Sequence, residues 1–138
     1  MSYLYRRNKR RRRGASAVEF AIVAPIFFLL LFGMIEFGRM LMVQQLLTNA
    51  TREGARFAVL EGSTEDEVTD LVVDYLGSTM VTINDDDVSI DPTPETANPG
   101  DPISVSVTVP YQEVGWLSPI FLSGTDMEAT AVMRKESD

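Results

Sequence analysis

Apolar residues are concentrated in one long segment near the N-terminus. Residues 20–35 read FAIVAPIFFLLLFGMI and carry no charge, and after Glu36 and Arg39 the apolar pattern continues to Val43. A helix of residues 20–43 would be about 36 Å long at about 1.5 Å per residue, enough to cross a bilayer with some tilt. Glu36 and Arg39, three residues apart, share a helix face and can pair near the outer interface, where a charge costs less than at the bilayer centre.

Two other structures give a segment of this kind. A buried core helix needs other segments apolar enough to surround it, and the remainder of the chain offers none. A cleaved secretory signal ends at a small-residue cleavage site, whereas here a helical pattern continues to about Leu60. The pattern therefore favours one transmembrane helix that extends beyond the membrane as a stalk.

Apolar residues recur at helical spacing in this extension and predict one buried stripe. They are Leu46, Leu47, Ala50, Gly54, Phe57 and Ala58. We expect the stripe to pack on the chain's own distal domain rather than to form a groove for a partner helix.

The distal pattern changes from helix to strand. Gly62 interrupts the long helix, and Ser63 or Thr64, with Asp66 or Glu67 three residues on, predicts the capping box of a second helix that ends at Gly77. Strands are expected at residues 80–83 and 88–90, joined by a hairpin turn at 84–87, and at 103–109 and 127–133, where apolar and polar residues alternate. Residues 91–102 contain four prolines and form a loop.

The predicted fold class is α+β. A single long N-terminal transmembrane helix extends into a stalk and is followed by a small helix and a three- to four-stranded antiparallel sheet. The predicted divisions are a basic cytoplasmic leader at residues 1–14, the long helix at 15–61, and a small extracytoplasmic domain at 62–138.

Charge is distributed very unevenly along the chain. Seven of the 12 basic residues lie within the first 13 positions, whereas 18 acidic residues face four basic ones from Gln44 onward. Because Lys and Arg remain in the cytoplasm, the N-terminus is predicted inside and the acidic domain outside. A nucleic-acid or nuclear-targeting patch and a twin-arginine export signal are the weaker explanations of the basic run. We expect no nucleic-acid partner.

The junction between the basic and apolar runs has its own pattern. Gly14 ends the basic run, and Glu19 then stands alone at the edge of the span, followed by the aromatic Phe20. An acid in this place is costly, and so it calls for a partner. If the chain were cut after Gly14, the new α-amine of Ala15 would lie one helical turn from Glu19 and could pair with it, within one chain or between neighbouring chains.

This junction resembles the processing site of type IV prepilins, in which a glycine, a glutamate at mature position five, an aromatic residue and a hydrophobic helix follow one another. The matching residues are Gly14, Ala15, Glu19 and Phe20. Within that superfamily the chain is most similar to the TadE-like pseudopilins of the tight-adherence (Tad, Flp-type) pilus system. The similarity includes SAVEFA at 16–21, Pro25, IEFGR at 35–39, TNATREGARFAVL at 48–60 and AVMRKE at 131–136.

The resemblance implies a minor pseudopilin that helps assemble a pilus used in adhesion. A prepilin peptidase would cut after Gly14, and Glu19 with Phe20 would act in assembly. The implied partners are the peptidase, other pilins and pseudopilins, the inner-membrane pilus platform and the lipid bilayer, and the implied location is the bacterial inner membrane.

Catalytic and metal chemistry find little support in the sequence. The chain has no cysteine and no histidine, which excludes thiol and histidine-dependent active sites and Cys/His zinc sites. Asp85, Asp86 and Asp87 could attract a calcium ion, but a solvated turn is the more common role of such a run. We expect no enzyme activity and no cofactor.

Two further hypotheses stay open. The chain could be an unprocessed, signal-anchored accessory or binding subunit of another envelope complex. The loop at residues 111–122, rich in aromatic and aliphatic residues, could dock another pseudopilin, or it could cap the chain's own core.

Overall fold

The computed structural model describes residues 8–79, 81–114 and 121–136 of the 138-residue chain. The chain divides into two compact units, Met1–Ile35 and Glu36–Asp138. Over the described residues the fold consists of a long apolar helix, a second helix and a three-stranded antiparallel sheet. The predicted α+β class is therefore confirmed.

The first helix, α1, covers Asn8–Ala58. Helical conformation thus starts before Ala15 and passes through Gly14, because Lys and Arg are good helix formers and one glycine costs only about 1 kcal/mol. Pro25 lies inside the helix, where it lacks an N–H for the backbone ladder. The large apolar side chains that α1 carries in the first unit are exposed.

The second helix, α2, covers Glu65–Gly77 and begins with the capping box that the sequence predicts. The Thr64 side chain accepts a hydrogen bond from the Glu67 N–H at 3.3 Å, and the Glu67 carboxylate accepts one from the Thr64 N–H at 3.2 Å. Both backbone donors would otherwise lack a helical partner. Within α2 the buried residues are Val68, Val72 and Leu76.

The sheet has the order β1-β2-β3, with strands Val88–Asp91, Pro102–Pro110 and Asp126–Arg134. Both pairs are antiparallel, with Ile90 opposite Val105 and Val105 opposite Ala131. Alternation along β2 buries Ile103, Val105, Val107 and Val109, as its sequence pattern predicts.

The strand expected at residues 80–83 is wrong over the residues that are described there. Residues 81–84 belong to no strand, and Asp85–Asp87 form a short 3-10 turn that leads into β1, so the expected hairpin is absent from this part of the described chain. Val81 and Ile83 are nevertheless buried. Their alternation reflects packing on the core without a neighbouring strand to bond.

One hydrophobic core joins α1, α2 and the sheet. Leu47, Ala50 and Ala58 of α1 are fully buried, so the predicted stripe packs on the chain's own domain. Gly54 marks the closest approach: a Cβ added there would lie 2.6 Å from Cγ2 of Val72 and 3.3 Å from Cγ1 of Val105. A glycine is thus what allows α1 to pack this closely on α2 and β2.

Candidate functional site

The junction residues all lie on α1 and are exposed. Gly14 has open space around its Cα, and the Phe20 ring is 70% exposed. Ala15 and Glu19 are four residues apart in continuous helix, so they occupy one helix face. The structure therefore gives the spacing that the pairing hypothesis needs, while cleavage after Gly14 and the assembly roles of Glu19 and Phe20 stay predictions.

A second group of polar residues forms around the first residue of the distal unit. We call it the Glu36 cluster, and it comprises Glu36, Arg39, Tyr111, Phe121 and Leu122. Glu36 is only 8% exposed. Its Oε1 accepts hydrogen bonds from the Phe121 N–H at 3.0 Å and the Leu122 N–H at 2.8 Å, and its Oε2 lies 3.1 Å from the Phe121 nitrogen.

These bonds suit a buried carboxylate. Burying a charge is costly unless it is paired or hydrogen-bonded, and bonds to an ionised acceptor are stronger than neutral ones. The two adjacent N–H groups belong to a segment with no regular secondary structure, which leaves them available for a side chain. Glu36 therefore fixes the backbone of residues 121–122 to α1.

Tyr111 makes the second link between α1 and the distal segment. Its hydroxyl donates to the backbone carbonyl of Glu36 at 3.0 Å and accepts from Nε of Arg39 at 3.1 Å. The Arg39 guanidinium carbon also lies 4.8 Å from the centre of the Tyr111 ring, within cation–π range. Since Tyr111 is fully buried, its hydroxyl needs these partners.

The proposed Glu36–Arg39 pair acquires a more specific setting from this geometry. The sequence places the two residues on one face of α1, and the structure adds partners from 72 to 86 positions further along the chain. No local pattern signals those partners. The hypothesis of a pair within the span was therefore incomplete, since both side chains serve the distal unit.

The Glu36 cluster also affects which part of α1 is available to lipid. Val43 is buried in the core, and the Gln44 side chain donates to the Glu128 carbonyl at 2.8 Å, so the distal unit packs on this part of the helix. From residue 14 to residue 35, by contrast, every side chain is exposed except at Ala24 and Gly33, which are half-buried. That stretch is about 33 Å long, enough to cross a bilayer without residues 36–43.

The remaining sequence-derived sites give less. Asp85 and Asp86 are exposed, while the Asp87 carboxylate accepts from the Asn84 N–H at 2.8 Å and so closes its own turn. In the described residues no group of three or more Asp, Glu, His or Cys side chains is arranged to hold a metal ion. Of the loop at 111–122, residues 115–120, including Trp116, lie outside the described residues.

Fold and sites together define a class of protein. Among the described helices, one is long and apolar enough to cross a membrane by length and composition, and a small α+β unit is built on its C-terminal part. These features are those of a single-pass membrane protein.

Comparison with known proteins narrows this class. Residues 14–56 match the family model described as TadE-like protein. The resemblance seen in the sequence is thereby confirmed for this segment, which is less than half of the chain. No curated protein and no solved structure gives a significant match.

Proposed function

We propose that this chain is a minor pseudopilin that helps assemble a tight-adherence (Flp-type) pilus in the bacterial inner membrane. The observation that supports this most is the TadE-like match over residues 14–56, which starts at the glycine of the expected cleavage site. The proposal places the N-terminus in the cytoplasm and the acidic unit outside. It assigns the chain a role in assembly rather than in catalysis.

Processing is the first step of the proposed mechanism. A prepilin peptidase cuts between Gly14 and Ala15, which removes the basic leader after it has set the orientation. Peptidases act on extended chain, so the helix has to open locally at the cut. Gly14 favours this opening because glycine costs a helix about 1 kcal/mol relative to alanine.

Assembly is the second step. The cut gives Ala15 a positive amine at the edge of the bilayer, and the carboxylate of Glu19 neutralises it in the same chain or in a neighbouring pilin. An unpaired charge there is costly, so the pairing sets the axial register between subunits. The exposed apolar side chains of residues 14–35 then pack against those of other pilins, while the platform in the inner membrane organises the assembly.

Substitution of Glu19 tests the proposal. Glu19→Ala in the native host should still be cleaved, but its incorporation into the pilus apparatus should fall about tenfold or more, since about 1.4 kcal/mol of lost pairing corresponds to that factor. Val18→Ala is the matched control, because Val18 is an exposed neighbour on the same helix without a charge. Unchanged incorporation of the Glu19 variant would remove the basis of the proposed role.

The alternative is an unprocessed, signal-anchored subunit of another envelope complex. It needs neither the cut nor Glu19. Deletion of this chain with normal pilus formation, combined with an intact residue 1–14 segment, would favour that alternative.

A further inference from the structure

One exposed aromatic side chain of the distal unit stands where an apolar surface is unexpected. Phe121 is 54% exposed, although its backbone is held by two contacts to the Glu36 carboxylate at 3.0 and 3.1 Å. Its neighbour Leu122 is half-buried and packs against the core. The same short segment thus anchors itself inward through its backbone and through Leu122, while the Phe121 ring stays outside.

The position of Glu36 along α1 sets the level of this ring. Glu36 directly follows Ile35, the last residue of the stretch that is apolar and exposed. Side chains on an α-helix lean toward its N-terminus, so the Glu36 carboxylate reaches back toward the preceding turn. The backbone of Phe121, bonded to that carboxylate, is consequently held at the level where α1 leaves the apolar stretch.

We infer that Phe121 is a membrane-contact residue whose ring lies in the interfacial region of the bilayer at the outer end of the span. The occupant of this surface is the lipid. The inference rests on the membrane anchor and not on the role in pilus assembly.

Two observations favour lipid over a second copy of the chain. Phe37 and Leu41, one turn apart on α1 immediately after Glu36, are also about half exposed, so apolar surface continues outward from the span. A stable protein interface needs roughly 800 Å² from each partner, which these side chains do not provide. The excess of acidic over basic residues beyond Gln44 also makes two copies of the distal unit repel one another.

A side chain at this place has a physical purpose. Aromatic rings are favoured at the membrane–water interface. A ring fixed to the distal unit there limits tilting of that unit and sliding of α1 along the membrane normal. Glu36 acts as the positioning residue, since it holds the backbone that carries the ring.

Single-cysteine labelling tests the inference cleanly because the chain has no cysteine of its own. The full chain carrying Phe121→Cys is labelled with an environment-sensitive fluorophore and reconstituted in phosphatidylcholine vesicles with the distal unit outward. Quenching is measured with nitroxide-bearing lipid and with aqueous iodide. The substitution leaves the Glu36 bonds in place, because Phe121 contributes its backbone N–H and not its ring to them.

Two further positions calibrate the measurement. Ile26→Cys reports the apolar stretch itself, and Val132→Cys, on β3, is an equally exposed apolar position of the distal unit. We expect the label at position 121 to be quenched by the nitroxide lipid several-fold more than the label at position 132, and to be shielded from iodide.

The other outcomes overturn the inference in distinguishable ways. A label at position 121 that behaves like the one at position 132 shows an aqueous ring. Shielding from both quenchers shows that a protein, such as a second copy, covers the residue. An unquenched label at position 26 shows that the anchor itself does not insert, and the inference then fails together with the membrane assignment.

Discussion

The Glu36 carboxylate and the backbone N–H of Phe121 are 3.0 Å apart although 85 residues separate them in the chain. This contact joins the helix that carries the apolar stretch to the segment that precedes β3. It fixes the distal unit to α1 at the first residue of that unit. The anchor helix and the folded unit are therefore connected by specific bonds as well as by the covalent chain.

Removing the Glu36 carboxylate should release residues 121–122 locally. In Glu36→Ala the two N–H groups lose a charged acceptor, and bonds of this kind contribute about 1.5–3 kcal/mol. Hydrogen exchange at the amides of Phe121 and Leu122 should accelerate correspondingly in the detergent-solubilised protein. Gln45→Ala, at an exposed position of α1, is the control and should leave that exchange unchanged.

Glu36→Gln separates charge from shape in the same experiment. The amide oxygen can still accept from both N–H groups in place of Oε1, so exchange should lie between the wild type and the alanine variant. Exchange as slow in Glu36→Ala as in the wild type would contradict the positioning role of Glu36.

Gly54→Ala should destabilise the distal unit by about 1–3 kcal/mol, because an added methyl group overlaps Val72 and overpacking costs this much. The gain in helix propensity, about 1 kcal/mol, offsets only part of the loss. Gly38→Ala is the matched control on the same helix, since a Cβ there meets nothing within 4 Å, and it should be neutral or slightly stabilising. Urea unfolding of both variants checks the difference, and equal stability would show that the close packing at Gly54 is overestimated.

Acid should weaken the distal unit through Glu95. The backbone N–H of Glu65, at the start of α2, donates to the Glu95 carboxylate at 2.8 Å and lowers the pKa of that carboxyl below its usual value. A lowered pKa in the folded state means that the stabilisation is complete above the unfolded pKa, near 4.5, and is lost as the pH falls through the folded pKa. Glu95→Gln should therefore be less stable than the wild type at pH 7, with a difference that shrinks at acidic pH.

Thermal unfolding of both proteins across this pH range measures the effect. Asp101 contributes a decline of the same sign, because the Asn98 backbone N–H lowers its pKa as well, and so the wild type and the Glu95 variant should both lose stability in acid. A gap between them that stays constant with pH would argue against the bond to Glu65.

Local patterns predicted the elements whose physics is local. The capping box at Thr64 and Glu67 and the alternation along β2 each depend on residues that are near one another in the sequence. The same reasoning failed for Val81 and Ile83, which alternate like a strand but have no strand to pair with among the described residues. Alternation reports burial, and it cannot report whether another strand lies alongside.

The Glu36 cluster shows the same limit at the candidate site. The sequence marks Glu36 and Arg39 as unusual because charges near an apolar helix are costly. It gives no sign that Tyr111 and the backbone of residues 121–122 are their partners, since backbone N–H groups are not specified by residue type. The junction at Gly14 to Phe20 is the opposite case, because its spacing is entirely local and could be read directly.

The central claim is that the chain is processed as a prepilin, and intact-mass measurement of the protein from its native membrane tests it most directly. The account predicts a mass that lacks residues 1–14 and a free N-terminus at Ala15 when the cognate peptidase is present, with the full chain recovered when the peptidase is absent. A chain that keeps Met1 or its leader in the presence of that peptidase would contradict the account.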